Sequence, residues 1–174
     1  FPASRNDSIG LNEESRVTIH EYQRKMCGIL AIFDASTSDV DLRKRIVSLA
    51  KRLRHRGPDA SGVEMIPNGA IAHERLSIID PESGSQPLLS TSVGDDVILA
   101  VNGEIYNHKE LKESLRKPYE FSSDSDCEVL IPLYLEQGLD FISKLDGMFA
   151  FVLYDRKAGS FIAGRDHMGI IPLY

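Results

Sequence analysis

From Met26 onward the apolar residues come in short runs separated by polar punctuation. Cys27 to Phe33 is the first run, closed by Asp34, Ala35 and Ser36, and its length predicts a buried strand. From Asp41 to Leu53 the spacing changes. Leu42, Ile46, Leu49, Ala50 and Leu53 return on one helical face, while Arg43, Lys44, Arg45 and Lys51 lie mostly elsewhere. This predicts a helix with a basic last turn, stopped by Gly57-Pro58. Residues 63–66 and 70–79 predict two strands joined by Pro67-Asn68-Gly69, where Pro presets one φ angle and Gly permits a positive one. Residues 96–101 predict a strand ending at Asn102-Gly103, and 107–115 a short helix capped by Asn107. Ser125-Asp126-Cys127-Glu128 has the form of a capping box and predicts a helix over 126–137, which Pro132 should kink or start late. Residues 141–145 predict a helical turn stopped by Gly147. Residues 148–154 and 161–165 predict a hairpin around Arg156-Lys157-Ala158-Gly159.

Hairpins imply antiparallel sheets, and the apolar runs imply that those sheets are covered. Two packed sheets with helices outside fit the order of elements, and so does a simpler α+β layer. Residues 1–25 are polar and without sustained periodicity, which predicts a flexible N-terminal extension ahead of a domain over 26–174.

Composition narrows the function. The chain has 174 residues, 42% apolar and 26% charged, which suits one globular domain. A net charge of −6 offers no broad footprint for phosphate backbones, so nucleic acid is not expected as a partner. No apolar run approaches the roughly 20 residues that span a bilayer, so no membrane partner is expected. No apolar secretory stretch precedes Met26, and no phosphate-binding glycine loop of the G-x-x-x-x-G-K-[ST] type occurs. Cys27 and Cys127 make no disulfide framework, which suits a reducing, cytoplasmic setting.

Candidate chemistry begins with Cys27. A lone Cys in an apolar run is ordinarily an inert core residue. Cys27, however, follows Met26. With Met26 removed it would carry both a thiol, pKa roughly 8.5, and an α-amine, pKa roughly 8. Such an amine is partly unprotonated near neutrality and can take the thiol proton without a histidine. A thiolate attacking an amide needs donors where the oxyanion develops. Asn102-Gly103 offers a side-chain amide and a backbone N–H; its plainer reading is a turn. Alternation puts His73, Arg75 and Ser77 on one strand face and Ala72, Leu76 and Ile78 largely on the other. Arg75 could hold a carboxylate bidentately, or merely face solvent. Asp126 could accept from an ammonium, or serve the helix dipole. His55 lacks a second ligand at metal spacing, and Arg165-Asp166-His167 reads equally well as a pair ordering a loop.

Taken together, the motifs resemble one family. Met26-Cys27-Gly28-Ile29 is similar to the start of class II glutamine amidotransferases. Arg56-Gly57-Pro58-Asp59, Arg75-Leu76-Ser77-Ile78-Ile79-Asp80, Asn102-Gly103-Glu104-Ile105-Tyr106-Asn107, Ser125-Asp126-Cys127-Glu128, Asp146-Gly147-Met148-Phe149-Ala150 and Gly164-Arg165-Asp166-His167-Met168-Gly169 follow in that family's order. The combination most resembles the glutamine-hydrolysing asparagine synthetases. The resemblance implies a four-layer αββα sandwich of two antiparallel sheets, the N-terminal nucleophile hydrolase fold. It implies Cys27 as nucleophile with its own amine as base, and Asn102 and Gly103 as the oxyanion hole. It implies Arg75 on the glutamine carboxylate and Glu104 and Asp126 on its ammonium, with Leu76, Ser77, Ile78 and Ile79 completing the substrate pocket. No cofactor is expected in this domain. ATP and Mg²⁺ are expected in a synthetase domain that would use the ammonia and aspartate, and the family leaves room for a homodimer of the full-length protein.

Three features depart from the pattern. Residues 1–25 and Met26 make the Cys27 nitrogen an amide, so the expectation is that they are removed, that the true initiator is Met26, or that this form is inactive. The domain is expected to be incomplete beyond Tyr174, and the synthetase domain is absent. Two alternatives stay open: an amidotransferase serving another acceptor, such as an amino sugar or a purine precursor, and a non-catalytic glutamine-binding or interaction fragment.

Overall fold

A computed structural model describes residues 26–76, 86–91 and 96–174 of the chain. Their order is β1 (Gly28–Ile32), α1 (Asp39–Ala50), β2 (Ala60–Ile66), β3 (Gly69–Arg75), β4 (Leu88–Leu89), β5 (Val97–Ile105), α2 (His108–Glu113), α3 (Leu130–Gln137), β6 (Gly147–Asp155) and β7 (Ser160–Arg165). Short 3₁₀ turns cover Lys51–Leu53, Asp126–Val129 and Gly138–Lys144.

The strands form two antiparallel sheets, ordered β1-β3-β2 and β4-β5-β6-β7. Side-chain alternation shows how they stack. On β3, Ile71 packs between the sheets with Ile98 and Ala100 of β5 and Val152 of β6, while Ala70 and Ala72 face Ile46 and Ala50 of α1. On β5, Leu99 and Val101 face the opposite way, onto Leu130 and Leu133 of α3 and onto Phe141. The layers are therefore helix, sheet, sheet, helix, the αββα sandwich expected. With both faces of β5 covered, Val97 to Asn102 are all buried, which is why the segment reads as an unbroken apolar run.

Several local expectations change on contact with the fold. The strand predicted to stop at Asn102-Gly103 continues to Ile105, because β6 pairs along its full length, with Gly103 opposite Phe149. In the 67–69 turn the positive φ falls on Asn68, at 52°, and not on Gly69. Gly69 is needed for space: a Cβ there would lie 2.5 Å from the Ile32 carbonyl oxygen. Asn107 does not cap α2. Its side chain donates to Lys144 O at 2.9 Å and accepts from Asp146 N at 3.0 Å, tying the start of α2 to the approach to β6. The capping box forms only by half. Ser125 Oγ accepts from Cys127 N, but Glu128 turns away. Residues 126–129 are 3₁₀, and the α-helix starts at Leu130, so Pro132 falls within its first turn, where a missing N–H costs little. The turn before β6 is 3₁₀ from Gly138, and Gly147 is itself the first residue of β6. The predicted strand over 70–79 is β3 as far as Arg75. Its remainder, Ser77 to Ile79, and residues 1–25 lie outside the described residues.

Candidate active site

Cys27 stands immediately before β1, and its thiol meets the far end of β3. The Leu76 N–H donates to Cys27 Sγ at 3.3 Å, and the thiol donates to Leu76 O at 3.6 Å. The Cys27 carbonyl accepts from Arg56 Nε at 3.4 Å. Burial pushes the thiol pKa up. The Leu76 N–H and the positive charges of Arg75 and Arg56 pull it back only in part, so the net direction is upward. A thiol held this way is protonated near neutrality, and using it as a nucleophile requires a base.

Two glycines make the approach possible. A Cβ on Gly28 would lie 2.8 Å from Leu53 Cβ. At Gly57 it would fall 2.1 Å from the Glu74 carbonyl oxygen. The 54–59 loop can thus lie against β3, where Asp59 N donates to Arg75 O. Arg75, for which a solvated face was one reading, is buried at 9% exposure on the face that β3 turns to the second sheet.

The oxyanion candidates sit on β5. Asn102 is buried, with its Oδ1 lacking a hydrogen-bond partner. The two ends of an amide are isosteric, so a half-turn brings a donor to that spot. Gly103 has φ +140°, and a Cβ there would lie 2.0 Å from Met148 O. Along β5 the residues pairing with β6 alternate with residues directing their polar groups to the other edge. Val97 N donates to Ser90 Oγ, Val101 N to Gln86 Oε1 and Ile105 N to Asp126 Oδ2. Gly103 belongs to this outward series.

Cys127 fixes the neighbourhood. Its thiol is fully buried and donates to Gly103 O at 3.7 Å. Burial raises its pKa well above the ordinary value, and the negative charge of Asp126, a hydrogen bond to the Asp126 side chain and the nearby Cys27 and Glu104 push it further. The candidate nucleophile, the candidate oxyanion glycine and both candidate ammonium partners therefore lie around one point. Asp126 is held there by the 2.6 Å bond from Ile105 N, which engages only Oδ2. Of the predicted site residues, Cys27, Arg75, Leu76, Asn102, Gly103, Glu104 and Asp126 fall in this region. Ser77, Ile78 and Ile79 lie outside the described residues.

His55 is exposed and bonds Arg52 O, a surface role. Asp166 orders a loop, through backbone N–Hs of Phe149, Ile170 and Ile171 and not through Arg165. Sequence reasoning missed Glu128, whose buried carboxylate takes the N–H and hydroxyl of both Ser122 and Ser123. The signal was the Ser-Ser pair six and five residues upstream. Alternation puts His73 on the same face of β3 as Arg75. It is fully buried, with Nε2 2.9 Å from Val101 O.

Comparison with known proteins shows the family and the fold. Residues 26–174 match a family described as a glutamine amidotransferase domain. Over 149 residues the chain is 50% identical to asparagine synthetase B [glutamine-hydrolyzing] of Escherichia coli K12, covering 86% of this chain and 26% of that protein. It is 54% identical to asparagine synthetase [glutamine-hydrolyzing] 2 of Arabidopsis thaliana, covering 86% and 25%. The chain thus spans about a quarter of the length of the curated relatives it matches. In fold it resembles a glutamine phosphoribosylpyrophosphate amidotransferase from B. subtilis, with TM-score 0.59 at 21% identity, over 79% of this chain and 37% of that one.

Proposed function

The chain belongs to the glutamine amidotransferase domain family, and from that premise we propose that it hydrolyses the side-chain amide of glutamine with Cys27 as nucleophile. The observation that carries the reading is the Cys27 thiol, set against Leu76 and gathered with Gly103, Glu104 and Asp126 around Cys127.

Arg75 receives the α-carboxylate of glutamine as a bidentate partner. Glu104 and Asp126 receive its ammonium. The α-amine of Cys27, exposed only where no peptide bond joins Met26 to Cys27, takes the thiol proton. The sulfur adds to the amide carbon, and the oxygen that gains the electron pair is met by the Asn102 amide and the Gly103 N–H. The amine then passes its proton to the leaving nitrogen, ammonia departs, and a thioester remains. Water adds to the thioester carbon, glutamate leaves, and the thiol is restored. The upward push on the thiol pKa is what makes the base necessary.

The relatives are named asparagine synthetases, and our reading extends to the use of the ammonia in the remainder of the full-length protein, to amidate aspartate with ATP and Mg²⁺ in a cytoplasmic homodimer. The test is ammonia release from glutamine by the full-length protein with Cys27 as its first residue, beside a form that retains Met26 and a Cys27→Ala form. Release by the first alone is expected. Equal release by the Met26 form would remove the amine from the mechanism, and release by Cys27→Ala would remove the nucleophile.

A further inference from the structure

We propose that Gln86 and His73 are positioning residues for this hydrolysis: together they hold the backbone of Val101, and through it the Asn102-Gly103 oxyanion pair. The inference rests on the glutaminase reading above.

β4 pairs with β5 only at Ile98 and Leu99. Past that point, among the described residues, no strand continues along this edge. Yet Val101 is buried, and its outward N–H and C=O need partners. Two side chains stand in for the missing strand. The Val101 N–H donates to Gln86 Oε1 at 2.8 Å. The Val101 carbonyl accepts from His73 Nε2 at 2.9 Å.

The two partners arrive from different parts of the fold. Gln86 comes from the segment leading into β4, and His73 from the facing sheet. Gly62 of β2, directly opposite His73 in register, leaves the space: a Cβ there would lie 1.8 Å from Gln86 O. The tautomer of His73 follows from its partner. A carbonyl offers no proton, so Nε2 carries the hydrogen and Nδ1 is left as a buried acceptor without a partner.

The clamp adjoins the oxyanion pair in the chain. Val101 shares a peptide plane with Asn102, and Gly103 follows at a φ of +140° with backbone packed against Met148. Tilting the Val101 peptide would re-aim both donors. Donors off by about 1 Å can cost up to a hundredfold in rate, and the loss falls on the transition state because only there is the oxygen charged. His73 also leads by strand to Arg75 and Leu76. One imidazole thus fixes the spacing between the strand that holds the thiol and the strand that holds the oxyanion donors.

The experiment uses the full-length protein with Cys27 first. Gln86→Met keeps the length of the half-buried side chain and removes the acceptor; Gln86→Glu keeps an acceptor. His73→Leu and His73→Gln do the same for the donor. Glutamine kcat and KM are measured, with the affinity of an aldehyde analogue of glutamine. The thiol adds across the aldehyde carbonyl, forming a C–S bond and placing the thiol proton on the new tetrahedral oxygen. Gln86→Met should lower kcat about tenfold with KM within about twofold, and weaken the aldehyde by the same factor while glutamate binding holds. His73→Leu should show the same split, and Gln86→Glu and His73→Gln should each keep most of the wild-type kcat. A purely structural role would lower the melting temperature without this split. Wild-type kcat in Gln86→Met, a loss confined to KM, or a loss that Gln86→Glu fails to restore overturns the clamp. If the wild type releases no ammonia from glutamine, the parent reading fails and the clamp falls with it.

Discussion

The protonation of His73 should make the fold acid-sensitive well above the range in which carboxylates titrate. Burial lowers its pKa from 6.5 to about 4, the bond to the Val101 carbonyl opposes this in part, and the charge of Arg75 adds to the lowering. The sign follows from proton counting. Between pH 6.5 and about 4 the unfolded chain binds a proton at this position and the folded chain does not. Stability therefore contains a contribution that is complete above pH 6.5 and lost as pH falls, gone by about 4. At 1.36 kcal/mol per pH unit the full loss is about 3 kcal/mol, and about 2 kcal/mol is gone by pH 5. Against a total stability of about 5–15 kcal/mol this is a large fraction.

The assay is urea unfolding followed by far-ultraviolet circular dichroism at pH 7, 6 and 5, since the chain has no Trp to report by fluorescence. The comparison is His73→Gln, which keeps a donor for Val101 and does not titrate. The wild type should lose about 2 kcal/mol more than the variant between pH 7 and 5. Asp166 does not blur the result. Burial would raise its pKa, but the N–Hs of Ile170, Ile171 and Phe149 outweigh that and lower it below 3.8, so its contribution is lost only at more acid pH. Stability curves for wild type and variant that run parallel from pH 7 to 5 would refute the assignment of a neutral buried imidazole.

Cys27→Ala should leave the melting temperature within a few degrees, because the thiol is only half-buried, and should abolish ammonia release from glutamine, read by a coupled ammonia assay. Gly103→Ala should damage both fold and activity: the new Cβ meets Met148 O at 2.0 Å and the backbone holds φ +140°, a cost of at least about 2 kcal/mol, read as a lower urea midpoint. Glu128→Gln should cost about 1–3 kcal/mol by leaving the Ser122 and Ser123 groups with one carbonyl in place of a carboxylate. It should also weaken glutamine binding more than turnover, since Asp126 stands in the same 3₁₀ turn; a calorimetric titration with the Cys27→Ala protein checks this.

What could be read from sequence was periodicity and motif, and both transferred well. Leu42, Ile46 and Ala50 are the buried face of α1, and the hairpin of β6 and β7 closes at Gly159 with φ +61°, as its turn residues demand. What could not be read was where a strand ends when its partner is remote in sequence. Asn102-Gly103 has the composition of a turn, yet β6, more than forty residues on, holds it extended. The Ser125 capping box failed for a related reason: Ser122 and Ser123 offered Glu128 more donors than the local N–H did. His73 and Gln86 carried no motif of their own, because each acts on Val101 from another strand or loop.

Among the described residues, the candidate site lies where β5 runs on past its edge partner β4. A fully paired β5 would spend every N–H on its neighbours and have none to offer a substrate. β4 begins only at Leu88, opposite Leu99, and among the described residues the outward groups of β5 beyond that point are met one at a time: Val101 by Gln86 and His73, Ile105 by Asp126. Between them stands Gly103, whose carbonyl takes the Cys127 thiol and whose φ excludes any other residue. Flanking positions that are firmly bonded make the one between them rigid, and a rigid donor pays its reorganisation in folding and not in the reaction. Side chains, unlike a continuous strand, can hold Val101 and Ile105 while leaving Gly103 open. Extending β4 by design to pair with Val101 and Gly103 should therefore raise the melting temperature and extinguish glutamine hydrolysis together; a more stable protein with undiminished kcat would show that the Gly103 N–H does not serve the oxyanion.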